Sequence, residues 1–286
     1  MSSLKQIRRR IDGVRNTAQI TRAMKMVATA RLRRAQENME RARPYAWKLR
    51  EVIGHLAART GSEQHPLLEV REPERIGIVN VTSDRGLCGS FNMNISRRTQ
   101  QVMDEFPGRE IELFTLGRKG YEFFRKRGVR IYRNYPGVFR ELDFSQATSI
   151  GGAITDQYIA GGFDRIYLVY NEFKNVAQQR IISEQLLPLK AHDEMTVAGS
   201  NVDYIFEPDA YGLLDKLLPL DVNIQVWRVM LESYAAEQAA RMTAMENATE
   251  NAEELVEDLT LQFNKARQAS ITKELLEIVS GAESLS

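Results

Sequence analysis

One cysteine, three histidines and two tryptophans are all that this 286-residue chain carries of those residue types. A single thiol excludes an internal disulfide and fits a reducing compartment. The histidines, His55, His65 and His192, are scattered, and with one cysteine they form no cluster of zinc-site spacing. No apolar run approaches the roughly 18–20 residues that a bilayer-crossing helix needs, so membrane association is expected to be indirect. The N-terminus is rich in arginine and poor in acids, as transit peptides are, but it lacks an apolar secretion core. Its heptad pattern argues that it stays on the mature protein.

The net charge of +1 hides an asymmetry. From Met1 to Thr60 there are 15 Lys/Arg against 4 Asp/Glu, and from Leu231 to Ser286 there are 4 against 11. Two oppositely charged ends on a near-neutral chain predict that they meet each other, another partner, or both.

Residues 4 to 56 keep strict heptad spacing through Leu4, Ile7, Ile11, Val14, Ala18, Thr21, Lys25, Ala28, Leu32, Ala35, Met39, Ala42, Ala46, Leu49, Ile53 and Leu56. Only Thr21 and Lys25 are polar. One amphipathic surface helix does not need so long a register, whereas a coiled coil does. Pro44, which lacks an N–H, should bend this helix or loosen one turn. After Pro219 there is no proline, and no glycine until Gly281. A second long helix is expected from about Asp221 to Val279, with apolar residues at Met242, Met245, Ala248, Ala252, Leu255, Leu259, Phe263 and Ala266. The pattern resumes at Ile271, Leu275, Ile278 and Ala282. With a domain between the two helices, antiparallel pairing is the natural way to bury both seams.

The middle of the chain changes period. "RIGIVNV", "EIELFTL", "VRIYRNY" and "DRIYLVYNEF" have strand length, and helix-like stretches near 91–106, 117–127 and 145–161 fall between them. This alternation predicts a largely parallel sheet with covering helices. "NVAQQRIISEQLLPL" and "VDYIFEP" read as a strand pair added at one edge. The fold class is therefore α/β: a long antiparallel coiled coil of the terminal helices (1–58 and 209–286) around a central Rossmann-like domain (75–208).

"SDRGLCGSFN", Ser83 to Asn92, sits at a strand-to-helix turn, where phosphate loops occur. Gly86 and Gly89 lead to Ser90 and Phe91, without the lysine of a P-loop or the GxGxxG of a dinucleotide fold. The reading preferred is a tight turn and helix cap, with glycines for unusual backbone angles and Asp84 or Ser83 accepting from free N–H groups. Cys88, with no adjacent histidine in sequence, reads as a small packed residue. In "RKGYEFFRKRG" helical spacing turns Tyr121, Phe124 and Phe123 to the sheet and Arg118, Arg125 and Lys126 to solvent, against a nucleic-acid reading. The basic N-terminal helix is the better nucleic-acid candidate, but Ile7, Ile11 and Val14 run the seam through it.

Lys25 is the oddity. A lysine at a seam position costs stability unless it fixes register or meets an acid. Met24 and Met26 flank it, and such methionines either fill a coiled-coil core, the reading favoured for Met26, or form an adaptable surface.

Several stretches together resemble the γ subunits of F-type ATP synthases. "NTAQITRAMKMVATARLRRAQ" with "RPYA" is similar to that family's N-terminal signature, "SDRGLCGSFN" to its central motif, and "EQAARMTAMENATENA" with "FNKARQASITKELLEIVSGA" to its C-terminal signature. The motifs keep the family's order over essentially the whole chain. The resemblance implies a non-catalytic central-stalk rotor without cofactor or metal, its helices inside the α/β hexamer and its α/β domain against the ε subunit and the c-subunit ring. It implies coupling of ion (proton) flow to ATP synthesis or hydrolysis on the β subunits, from a peripheral position on the cytoplasmic face of a bacterial membrane. By motif, Met24 and Lys25 fall where the N-terminal helix meets an acidic β loop, Arg267 and Gln268 where the C-terminal helix meets another. Arg8, Arg9 and Arg10 fall on the far part of the shaft. The alternative from the residues alone is a basic coiled-coil nucleic-acid binder, and a weaker one a nucleotide-dependent enzyme using the Ser83–Asn92 turn. Departures are Glu246, where the family usually has Lys, and "LDVNIQVWRVMLESYAAEQ", where Trp227 and Tyr234 intrude. The cysteine pair of the redox-regulated chloroplast form is missing.

Overall fold

A computed structural model describes residues 2–60, 65–176, 178–189 and 210–283. Along the chain run α1 (Ser2–Thr60), β1 (Arg75–Val81), α2 (Phe91–Asp104), β2 (Glu110–Leu116), α3 (Arg118–Arg125), β3 (Ile131–Tyr135), α4 (Phe144–Ile159), β4 (Arg165–Phe173), β5 (Gln179–Leu187) and α5 (Ala210–Glu283). They divide into two compact units, one of residues 1–29 with 241–286, the other of residues 30–240.

In the first unit the opening turns of α1 run antiparallel to the second half of α5. Thr21 pairs with Thr249, Arg22 with Glu253 and Lys25 with Glu246, so a step toward the N-terminus of α1 is a step toward the C-terminus of α5. Ile11, Ala18, Thr21 and Ala28 are buried on α1, and Met245, Thr249, Ala252 and Leu259 on α5. Alanine buries little area, so Ile11, Met245 and Leu259 supply most of the apolar gain, about 1.5–3 kcal/mol each. The buried threonines need no outside partner. Their hydroxyls meet at 2.7 Å, and each also returns to its own helix, Thr21 to Thr17 and Ala18, Thr249 to Met245.

All sixteen heptad positions from Leu4 to Leu56 are buried or half-buried. α1 continues as one helix through Pro44, at the loss of one backbone hydrogen bond. Pro44 is exposed, as is Glu40 four residues before it, so the carbonyl left without its N–H partner faces water. α5 begins before the expected Asp221, at Ala210, and takes Pro219 inside. Four described positions of the C-terminal register are exposed: Leu255 and, beyond the end of the buried face, Ile271, Leu275 and Ile278. Leu255 is 37% exposed while its neighbour Val256 is half-buried, because the step between buried Ala252 and Leu259 can be divided as three and four or as four and three, and the helix buries the second choice.

The second unit is built on a five-stranded sheet of order β3-β2-β1-β4-β5, parallel except for β5, which runs antiparallel to β4. Four strands and three helices fall where alternation placed them, and β5 is the expected edge addition. Its proposed partner "VDYIFEP" lies outside the described residues. Strand alternation splits the core between two faces. Ile76 and Ile78 pack with Phe91, Ile95 and Val102 of α2 and with Leu32, Ala35 and Met39 of α1. Val79 and Val81 pack with Ile150, Ile154 and Tyr158 of α4 and with Leu218, Val222 and Val226 of α5.

Candidate partner-binding site

The turn after β1 is the first place to seek chemistry, since it lies where strand order reverses between β1 and β4. Most of its polar atoms are spent on the fold, though Asp84 Oδ2 is buried without a partner. Thr82 Oγ1 accepts from the Gly120 N–H at 2.8 Å, and Asp84 Oδ1 accepts from the N–H groups of Arg118 and Gly137 at 3.1 and 2.8 Å. The Ser83 N–H donates to Asn92 Oδ1 at 2.9 Å. The turn is thus a cap, but for α3 rather than for the helix it opens; Ser90, the N-cap of α2, makes no side-chain capping bond.

The reason lies at Gly117. This N-cap of α3 has φ 89°, and a Cβ there would fall 2.1 Å from the Thr82 carbonyl oxygen. With glycine obligatory, α3 has no cap of its own and borrows Thr82 and Asp84. In the turn itself the left-handed residues are Leu87 (φ 63°) and Gly89 (φ 58°), not Gly86. Cys88 is buried in the apolar core, its sulfur beside Ser83 Oγ and Asn92 Nδ2. Phe124 is buried and Tyr121 and Phe123 are half-buried, while Arg118, Arg125 and Lys126 are exposed, as the helical spacing required.

The helix pair carries the remaining candidates. Arg8, Arg9 and Arg10 on α1 and Arg267 and Gln268 on α5 are all exposed. The antiparallel register brings these two groups within about two turns of one another, at the same end of the pair. None of Arg8, Arg9, Arg10 and Arg267 forms an ion pair among the described residues. Met24 and Lys25 stand apart, about 24 Å along α1 from Arg9 at the helical rise. Both are half-buried, and Lys25 already has an acid: its ammonium sits 2.5 Å from Glu246 Oε1 across the seam. The charged ends therefore meet each other only in part, and much of the basic surface stays open.

Two apolar surfaces were not singled out from the sequence as contacts. On the outer face of α1, Ile20, Met26 and Val27 are exposed; Met26, at 63%, fills no core. On α5, burial ends at half-buried Ser270, and every residue from 271 to 280 is exposed, including Ile271, Leu275, Leu276, Ile278 and Val279. The signal was in the sequence: the apolar period of α5 resumes at Ile271, beyond the length that α1 can cover. Such a stripe on a bare helix marks a protein-contact surface.

Known proteins match over this whole arrangement. The ATP synthase family model matches residues 3–285. The ATP synthase gamma chain of Prosthecochloris aestuarii is 51% identical over all of this chain and 99% of its own length. That of Geobacter sp. strain M21 is 48% identical, with the same coverage. Among solved structures, the central stalk of the Tetrahymena thermophila mitochondrial ATP synthase is 27% identical over 80% of this chain and 99% of its own, with a TM-score of 0.62. A chain of the Euglena gracilis mitochondrial assembly of OSCP, F1 and c-ring shares the fold, with a TM-score of 0.69 at 21% identity over 99% of this chain and 95% of its own.

Proposed function

The chain belongs to the ATP synthase gamma-chain family, and from that premise we propose that it is the rotor shaft coupling proton flow through a c-subunit ring to catalysis on an α/β hexamer. It is a central-stalk subunit of the ATP synthase. The observation that carries the finer reading is the end of the helix pair, where an uncovered apolar stripe (Ile271 to Val279) adjoins exposed Arg8, Arg9, Arg10 and Arg267. An apolar sleeve with acidic loops beside it is the partner this surface fits.

In this reading Arg267 and Gln268 touch one β-subunit loop, and Met24 and Lys25 touch another, with Ile20 and Val27 beside them. The α/β unit meets the ε subunit and the c-ring. Catalysis belongs to the β subunits, and this chain contributes neither nucleophile nor cofactor site. Turning the shaft changes which face each β subunit meets, and so shifts the open and closed states of its site by differential contact energy. Among the described residues no helix is long and apolar enough to cross a membrane, which fits a peripheral position on the cytoplasmic face of a bacterial membrane.

The nucleic-acid alternative has no support, for Ile7, Ile11 and Val14 of the basic stretch lie in the helix pair. Reconstitution with α and β subunits tests the proposal. Co-assembly, with rotation-coupled ATP hydrolysis dependent on this chain, is the expected result. A hexamer that excludes the chain, or couples without it, would end the rotor reading.

A further inference from the structure

The two tryptophans of the chain are far apart in sequence yet line one cavity. It lies wholly within the α/β unit and has a volume of about 410 Å³. That falls inside the range of roughly 300–1,000 Å³ typical of small-molecule sites. Tyr45 and Trp47 stand at its α1 side and Trp227 on its α5 side, with Phe144 from the start of α4. Phe144 and Trp227 meet edge to face, their centroids 6.1 Å apart. Tyr45 and Trp47 are 57% and 69% exposed and form the mouth.

The polar part of the wall is Arg228 and Glu232. The terminal nitrogens of Arg228 are taken, one donating to Tyr170 Oη at 2.9 Å and the other to the Glu184 carboxylate, while its Nε is buried without a hydrogen-bond partner. Its bond to Glu232 is the long one, 3.4 Å to Oε1. Glu232 Oε2 is buried and has no hydrogen-bond partner. One guanidinium thus serves two carboxylates, and the second is left short of positive charge. Burial, ahead of the attraction of Arg228, accordingly pushes the Glu232 carboxyl above its usual range.

We propose that this cavity binds an amphipathic organic cation, an ammonium group against Glu232 with an aromatic or short alkyl tail among the four rings. The chemistry selects that class over the alternatives. An anion would meet the Glu232 carboxylate, which repels it, and an arginine whose terminal nitrogens are already held by Tyr170 and Glu184. A neutral apolar molecule would leave the Glu232 oxygen unpaired. A cation supplies the missing charge, and aromatic faces stabilise ammonium groups within about 6 Å of their centroids.

The full chain reports on the site directly, since its tryptophan emission arises only from Trp47 and Trp227. Titration with benzyltrimethylammonium should give a saturable emission change, and titration with phenylacetate should give none. Glu232→Gln should weaken the cation at least tenfold, with an unchanged circular dichroism spectrum verifying the fold. Tyr45→Ala, at the exposed mouth, should weaken it severalfold while leaving both tryptophans as reporters. Absence of saturation with the cation, equal affinity in E232Q and wild type, or equal affinity for phenylacetate would each overturn the proposal.

Discussion

The Lys25 ammonium and the Glu246 carboxylate meet across the helix pair at 2.5 Å, so the charged side chain at the seam is answered from within the chain. Both are more than a third exposed, which places the pair among surface ion pairs worth about 0.2–1 kcal/mol. Lys25→Glu should therefore lower stability by about 1 kcal/mol in thermal or urea unfolding. Adding Glu246→Lys should recover it. If Lys25 also meets a β loop, the swapped chain will regain stability yet remain impaired in coupled hydrolysis after reconstitution. Recovery of both would confine Lys25 to the helix pair.

Arg267 is exposed and forms no ion pair among the described residues, so removal of its charge should cost the fold little. Arg267→Glu should change unfolding stability by less than about 0.5 kcal/mol. Coupled hydrolysis by the reconstituted complex should nevertheless fall. Full coupling in R267E would remove Arg267 from the partner surface.

Two glycines flank the same turn chemistry with opposite tolerance. Gly117→Ala forces a Cβ onto the Thr82 carbonyl at positive φ and should cost about 3 kcal/mol. Gly86→Ala meets nothing within 4 Å and should stay within about 0.5 kcal/mol of wild type. Equal denaturation midpoints for the two variants would refute this account of the turn.

Asp84 holds two backbone donors that have no other acceptor assigned, those of Arg118 and Gly137. Asp84→Ala should cost about 2 kcal/mol, and Asp84→Asn, which keeps an acceptor oxygen, clearly less. The added loss should appear as faster amide exchange at Arg118 and Gly137. Protected amides in D84A would show that α3 is capped by other means.

His65 gives stability a pH dependence. Burial holds its imidazole below the usual value of 6.5, outweighing nearby Asp215, and its Nδ1 accepts from the Leu67 N–H at 3.1 Å. The folded state thus resists a proton that the unfolded chain takes up near pH 6.5. The contribution is complete above that pH and is lost as pH falls through the lowered folded value. Unfolding midpoints measured from pH 7.5 to 5 should drop, and His65→Asn should flatten that part of the fall. An imidazole titration midpoint at or above 6.5 by NMR would contradict this.

What could be read in advance follows from how local each cause is. The period of the Leu4–Leu56 register is a property of one helix and its apolar face, so it predicted which side chains would be covered. Strand alternation in "RIGIVNV" likewise sorts Ile76 and Ile78 from Val79 and Val81 without knowledge of the partners. Leu255 failed because a spacing of three or four from Ala252 fits Val256 as well as Leu255, and Met26 failed because a methionine beside the seam looks like one within it. The partner-binding residues Arg8, Arg9, Arg10, Arg267 and Gln268 were reached by motif, since nothing in their own sequence neighbourhood says what lies outside the chain.

The sequence by itself determined two long helices, a mostly parallel α/β sheet between them, and a turn without the lysine that a phosphate loop needs. Helical period, strand alternation and turn chemistry are set within a few residues. Only the tertiary structure decided that Asp84 and Thr82 cap α3, that Glu246 answers Lys25, and that Trp47 and Trp227 share a cavity floored by an under-compensated carboxylate. Those relationships join residues from 34 to 221 positions apart. Through-space distance sets both Coulomb energy and hydrogen bonding, and that distance exists only once the chain is folded.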